Sequence, residues 1–240
     1  MKQKAVFNWS GGKESALALY KVFQSGEYDV VSLLTTANSR TKRSSMHGIP
    51  AALLLEQSRS IGIPLYLVEY APEDEIKGYE NCMLKAVEHF KKQGVHHFIF
   101  GDIFLHDVRS YREQKLKPQG IEVVEPLWDI KPDEVMGDFF QSGLKSIVVT
   151  TMANLLDEAY IGRLVDRSFT ENLPGEVDIL GENGEYHTFC YDGPIFKYPV
   201  PYSLGKPFIF SHTFKTDDGT QQTYNYWCAD LNEAADIRII

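Results

Sequence analysis

Ser10, Gly11, Gly12, Lys13, Glu14 and Ser15 make up the densest run of anion-binding chemistry in this sequence. Two glycines let a backbone approach an anion closely and turn without a Cβ clash. A helix opening there presents unpaired N–H groups and the positive end of its macrodipole. The Ser10 and Ser15 hydroxyls add donors, and Lys13 adds a point charge able to follow a phosphate oxygen. The spacing is neither G-x-x-x-x-G-K-[ST] nor G-x-G-x-x-G, which excludes the two common nucleotide loops. The bland alternative is a strand-to-helix turn that Ser10 merely caps. Lys13, Ser15 and the place directly after the first strand favour a phosphate cradle.

Three further clusters could do chemistry. Asp102 ends a predicted strand, where ligands of open α/β sheets bind, and could hold a cation or orient an amine; a loop or helix cap is the alternative. Arg109 and Arg112, three apart on one helix face, could grip a carboxylate or phosphate, or simply be solvated beside Glu113. Glu182, Glu185 and His187 crowd a glycine-rich stretch from Gly181 to Thr188. They could deprotonate an incoming ammonium or hold an acceptor carboxylate, against a polar turn. His187 with these acids lacks regular metal-ligand spacing. His47, at a helix entry, reads equally as structural or functional, and His96 and His97 beside a strand read as structural. Cys82, Cys190 and Cys228 form no C-x-x-C pair and suggest neither a zinc ribbon nor a redox dithiol.

The elements that must carry these groups alternate. Ala5 to Trp9, Val30 to Thr35, Leu65 to Val68, His97 to Phe100, Ile121 to Val124 and Ile147 to Thr150 read as strands. The runs near Val30 and Ile147 lack polar alternation, as expected of strands covered by helices on both faces. Between strands, Ala16, Leu19, Tyr20 and Phe23 predict one apolar helix face; Ala52, Leu55 and Ile61 suit a second, and Ile76, Met83, Val87 and Phe90 a third. Such alternation predicts a parallel sheet of βαβ units over residues 1–151. From 152 to 240 the chain turns to Gly/Pro/Asp/Asn punctuation and aromatic runs such as Phe208 to Phe214 and Gln222 to Trp227, predicting a smaller α+β domain.

The chain has 240 residues, 43% of them hydrophobic and 24% charged, an ordinary globular composition. The net charge is −9. Residues 1–150 nearly balance, with 18 Lys/Arg against 19 Asp/Glu, whereas 151–240 carry 6 against 14. A nucleic-acid partner wants a basic stripe, and the C-terminal part would repel one. With no apolar run long enough for a membrane helix and no export leader, a cytoplasmic protein without membrane attachment is expected. The oligomeric state stays open.

The loop resembles the S-G-G-x-[DE]-S pyrophosphate loop of N-type ATP pyrophosphatases. Arg43 to Ile49, Gly101-Asp102-Ile103 with Arg109, Tyr111 and Arg112, and Gly181 to Phe189 followed by Asp192-Gly193-Pro194 narrow it. Together, in this order, they resemble the diphthine–ammonia ligase (diphthamide synthase) family. Glu14 stands where Asp is commoner, and Asn183 and His187 replace a glycine and a second acid. Together with the Met-His-Gly segment, Asn183 and His187 resemble bacterial members. The resemblance implies a HUP-type (adenine nucleotide alpha hydrolase-like) sheet of order 3-2-1-4-5, with ATP at the strand 1/strand 4 cleft. It implies that ATP is split between its α and β phosphates with Mg²⁺, that a small-molecule or protein carboxylate is adenylated, and that ammonia then forms an amide. Lys13, Asp102, Glu182 and Glu185 would be catalytic and the 10–15 loop would hold the nucleotide, with Glu14 on Mg²⁺. Arg109, Arg112, His47 and His187 would bind substrate. The rival readings are a tRNA-modifying ATP pyrophosphatase and a protein that binds ATP or AMP without turnover.

Overall fold

The computed structural model describes residues 2–44, 47–71, 75–215 and 221–234. Ser45, Met46 and the Ile76 side chain, which figure in the readings above, lie outside the described residues. Strands β1 (Gln3–Asn8), β2 (Tyr28–Asn38), β3 (Leu65–Tyr70), β4 (His97–Ile99) and β5 (Glu122–Val124) form a parallel sheet ordered β3-β2-β1-β4-β5. This is the α/β, HUP-like order expected. It puts the topological switch point between β1 and β4, where the carboxyl ends of neighbouring strands diverge into a crevice.

The connecting helices are α1 (Lys13–Ser25), α2 (Ala51–Ile61), α3 (Glu75–Lys91) and α4 (His106–Leu116), with α5 (Pro132–Ser142) following the last parallel strand. Ala5, Val6 and Phe7 of β1 are apolar and buried because both faces of the strand are covered there. Ala5 and Phe7 pack in one core with Leu17, Leu19 and Leu53, whereas Val6 joins another with Val87 and Phe90. The predicted third helix face holds at Val87 and Phe90. The first and second are shifted. Phe23 is 44% and Leu55 40% exposed, while Leu17, Ala18 and Val22 of α1 and Leu53 and Leu54 of α2 are buried. α1 touches α5 and a strand of the second sheet as well as the first sheet, so its buried arc is wider than one stripe.

The sixth apolar run does not extend the parallel sheet. β6 (Lys145–Met152) lies in a four-stranded antiparallel sheet, order β7-β6-β10-β9, with β7 (Tyr186–Asp192), β9 (Phe208–Lys215) and β10 (Gln221–Cys228). Ile147, Val148 and Val149 are buried because β6 is central there and faces the shared core. An unbroken apolar run reports burial on both faces, not the direction of pairing. The aromatic runs form β9 and β10, which pair antiparallel, and β8 (Tyr202–Leu204) pairs with β11 (Leu231–Glu233). One hydrophobic core runs from Ala5 of the parallel sheet to Leu231 near the end of the described chain.

Candidate active site

The 10–15 loop leaves β1 and enters α1 under tight restraint. Gly11 has φ +84, and a Cβ there would stand 2.8 Å from Leu54 Cδ2 and 2.9 Å from Gln57 Oε1. Only glycine fits both the left-handed backbone and the space. Gln57, wholly buried on α2, donates from Nε2 to the carbonyls of Gly11 (3.0 Å) and Cys190 (2.6 Å). Its Oε1 accepts from Trp9 Nε1 at 2.8 Å, so the amide spends its polar capacity on the loop and its flanks. From the second sheet, Cys190 N donates to Gly11 O at 2.8 Å and the Thr188 hydroxyl accepts from Lys13 N at 2.9 Å. Thr188 thus satisfies one of the donors that open α1. The cradle is clamped between α2 and β7.

A cleft of about 440 Å³ opens above the loop at the carboxyl ends of β1, β2 and β4. It lies at the β1/β4 switch point. Ser10, Glu14, Ser15, His47, Asp102, Arg112, Glu182 and His187 all line it, so distant sequence clusters are brought to one place. Its other walls are apolar and aromatic, among them Leu34, Tyr79, Met83, Phe100 and Leu105. The Ser10 and Ser15 hydroxyls are bonded to each other at 3.0 Å. Ile103 N donates to Glu182 Oε1 at 3.1 Å, so the glycine-rich turn of the second half bridges to the loop after β4.

Lys13 sits beneath the cleft, not at large in it. Its side chain is 3% exposed; Nζ donates to Leu180 O at 2.6 Å, contacts Glu14 Oε1, and lies 4.4 Å over the Tyr186 ring. Burial opposes this charge, but Glu14 and Tyr186 outweigh it and raise the pKa. Glu182 is pushed up to about 7, first by burial and then by the Glu14 carboxylate. Two carboxylates therefore repel each other across a partly dry site. His47 and His187 pack ring on ring with centroids 4.6 Å apart. Burial, then His187 and Lys13, lowers His47, and burial, then Lys13, lowers His187 to about 4. Both are neutral at pH 7.

Two expected site residues face elsewhere. Glu185 is buried and turned into its own loop, its Oε1 accepting from Asp178 N (3.3 Å) and Asn183 Nδ2 (3.2 Å). Arg109 stacks 4.4 Å over Trp128 and pairs with Glu113 at 3.0 Å and Glu125 at 3.2 Å. Arg112 reaches the cleft, stacked 4.1 Å over Phe100 and paired with Asp102. Sequence reasoning passed over Glu125, whose side chain is 1% exposed behind both arginines and whose pKa is raised by burial. Its one available signal was a carboxylate directly after β5. Cys190, buried and pushed up to about 12 by burial, is no nucleophile.

Among the described residues no group of three or more His, Cys, Asp or Glu side chains is placed to hold a metal. Glu14 and Glu182 do share the cleft as two carboxylates whose mutual repulsion a hard dication would relieve. Mg²⁺ typically takes one or two carboxylates and leaves its other positions to water and substrate phosphates. The donor set fits that ion. Among the described residues no helix is long and apolar enough to cross a membrane.

Comparison with known proteins finds two family matches along the chain. Residues 1–122 match the diphthamide synthase N-terminal domain and residues 131–206 the diphthamide synthase C-terminal domain. A curated diphthine–ammonia ligase of Schizosaccharomyces pombe is 30% identical over 93 residues, covering 37% of this chain and 15% of that protein. The chain thus aligns with a small part of the relative's length. With both domain matches in order, and the first covering half the sequence with the cradle and the Asp102–Arg112 segment inside it, the chain belongs to the diphthamide synthase family.

Proposed function

We propose that the protein is an ATP-dependent carboxylate–ammonia ligase that splits ATP between its α and β phosphates. The observation carrying this reading is the convergence of the 10–15 cradle, Asp102–Arg112 and the Glu182–His187 turn on one cleft at the β1/β4 switch point. ATP would lie with its phosphates on the cradle and its base among Leu34, Met83 and Phe100. The start of α1, the serine hydroxyls and Lys13 would stabilise charge on the departing pyrophosphate. Bound Mg²⁺, held by Glu14, would neutralise the phosphates. Arg112, released from Asp102, would grip the acceptor carboxylate, and Asp102 would then be free to orient the amine.

The turn from Gly181 to His187 would cover the α-phosphate and exclude water from the acyl-adenylate. Glu182 would take a proton from ammonium; the nitrogen lone pair then attacks the acyl carbon, a C–N bond forms, the acyl C–O bond to AMP breaks, and the remaining surplus proton leaves to solvent. Glu185 would act on the turn and not on substrate. Diphthine, named for the relative, is one acceptor to try.

The test incubates the protein with [α-³²P]ATP, Mg²⁺, ammonium and a panel of carboxylates that includes diphthine. AMP and pyrophosphate that require both a carboxylate and ammonium support the reading. ADP and phosphate would overturn it. Nucleotide binding with no turnover across the panel would favour a non-catalytic ATP or AMP binder instead.

A further inference from the structure

The surroundings of the Lys13 amino group are those of a bound ammonium ion. A main-chain carbonyl, Leu180 O, accepts at 2.6 Å; a carboxylate, Glu14, contacts it from a second side; and the face of Tyr186 closes a third with its centroid 4.4 Å away. Carbonyl, carboxylate and aromatic face are the three partners by which proteins hold alkylammonium groups. Tyr186 is itself fixed, its hydroxyl donating to Ile179 O at 2.5 Å, and Gly181 allows the ring to stand where a Cβ would be 2.6 Å from it. Glu182 lies on the same turn, two residues from Leu180, and lines the cleft.

A lysine at the first residue of α1 carries its charge on a flexible four-carbon stem. A triphosphate on the adjoining loop competes with Glu14 for that charge, and a lysine drawn toward it leaves the buried Glu14 oxygen without a counter-ion. We infer that Lys13 is a placeholder, and that on nucleotide binding the cradle of Leu180 O, Glu14 and Tyr186 receives the ammonium ion that supplies the amide nitrogen. This rests on the ammonia-ligase reading. It orders the substrates: the nucleotide enters first, and the ammonium site exists only after Lys13 has moved. Glu182 then stands beside the ion as the acceptor of its proton. Glu14 carries two oxygens, so one can serve this cradle while the other serves Mg²⁺.

Thermal unfolding in ammonium chloride against sodium chloride at equal ionic strength tests this without an acceptor. Wild type without nucleotide should respond equally to both salts. Wild type with Mg²⁺ and α,β-methylene-ATP, and Lys13→Ala without nucleotide, should both gain Tm selectively in ammonium, by about 5–10 °C at a hundredfold excess over Kd. Adding Glu14→Gln to Lys13→Ala should abolish the gain, whereas adding Tyr186→Phe, which keeps the ring face, should retain it. Equal response to sodium and ammonium in both emptied states would overturn the inference. If Lys13→Ala fails to fold, the wild-type nucleotide arm decides alone. Failure of the analogue to bind wild type in calorimetry would instead sink the ATP reading, so the two failures are separable.

Discussion

Glu182 is a cleft carboxyl group that folding holds protonated to higher pH than usual. Its pKa rises from 4.5 to about 7 on folding, so the folded state binds more protons between those values. That contribution to stability is full below about pH 4.5 and is lost as pH rises through 7. Glu182→Gln keeps an acceptor for Ile103 N but carries no charge. It should match wild type in Tm near pH 4.5 and exceed it increasingly up to pH 8 in metal-free thermal scans. A difference that shrinks with pH would contradict the burial of Glu182 beside Glu14. His187 works in the other direction. Its pKa falls from 6.5 to about 4, so its neutral burial stabilises above 6.5 and that contribution is lost as pH falls toward 4. His187→Gln should therefore flatten the acid limb of the stability profile. For Lys13→Ala, loss of transition-state charge stabilisation predicts pyrophosphate release lowered by about 10²-fold or more in steady-state assays. The types and spacing of residues 10–15 made this chemistry legible in the sequence. The resting position of Lys13 was not legible, because its partners come from residue 180 and residue 186, far along the chain.

At the scale of elements, the loop is only as precise as the elements that clamp it. Gly11→Ala forces a left-handed alanine and drives its Cβ against Leu54 and Gln57. It should cost about 1–3 kcal/mol and lower Tm by several degrees in calorimetry. Gln57→Ala strands the Trp9 indole N–H and removes the amide between the Gly11 and Cys190 carbonyls. Each orphaned group costs about 1–3 kcal/mol, so Gln57→Ala should destabilise at least as much as Gly11→Ala and weaken nucleotide binding. Gln57→Glu, equal in size but unable to donate to two carbonyls, should not rescue. A glutamine in mid-helix carries no signal of such a role, since most are solvated. The second half shows a related limit. The strand at Ile147 to Thr150 was legible as a strand, but its antiparallel pairing with β7 was not, because register between β6 and β7 is set by tertiary contact. Phe23 and Leu55 show the same at single positions: each fits its helix's apolar pattern, yet neighbouring elements bury another arc.

Across the whole molecule, the second sheet completes the first. Thr188 and Cys190 of β7 hold the cradle, Glu182 bridges to the loop after β4, and Arg43 before α2 donates to Leu231 O of β11 at 3.3 Å. Strand–helix alternation made a parallel sheet of right-handed βαβ units legible, whereas the order β3-β2-β1-β4-β5 and the cleft at its switch point came from the family resemblance of the motifs. The Gly181 to Thr188 stretch meets the Ser10–Ser15 loop through Gly181, Glu182, Tyr186, His187 and Thr188, while Glu185 turns into its own loop. The charge asymmetry also acts at this scale. With 14 acidic against 6 basic residues in 151–240, bulk tRNA should bind no tighter than about 10⁻⁴ M at physiological salt in fluorescence anisotropy. Tight, steeply salt-dependent binding would revive a tRNA-modifying role. A crystal structure with Mg²⁺ and α,β-methylene-ATP decides whether this cleft is a nucleotide site built for α–β cleavage. The predicted result has the phosphates on residues 10–15, the base beside Leu34 and Phe100, and the α-phosphate beneath the Gly181 to His187 turn. A nucleotide seated elsewhere, or one whose γ-phosphate and not its α-phosphate faces that turn, would contradict it.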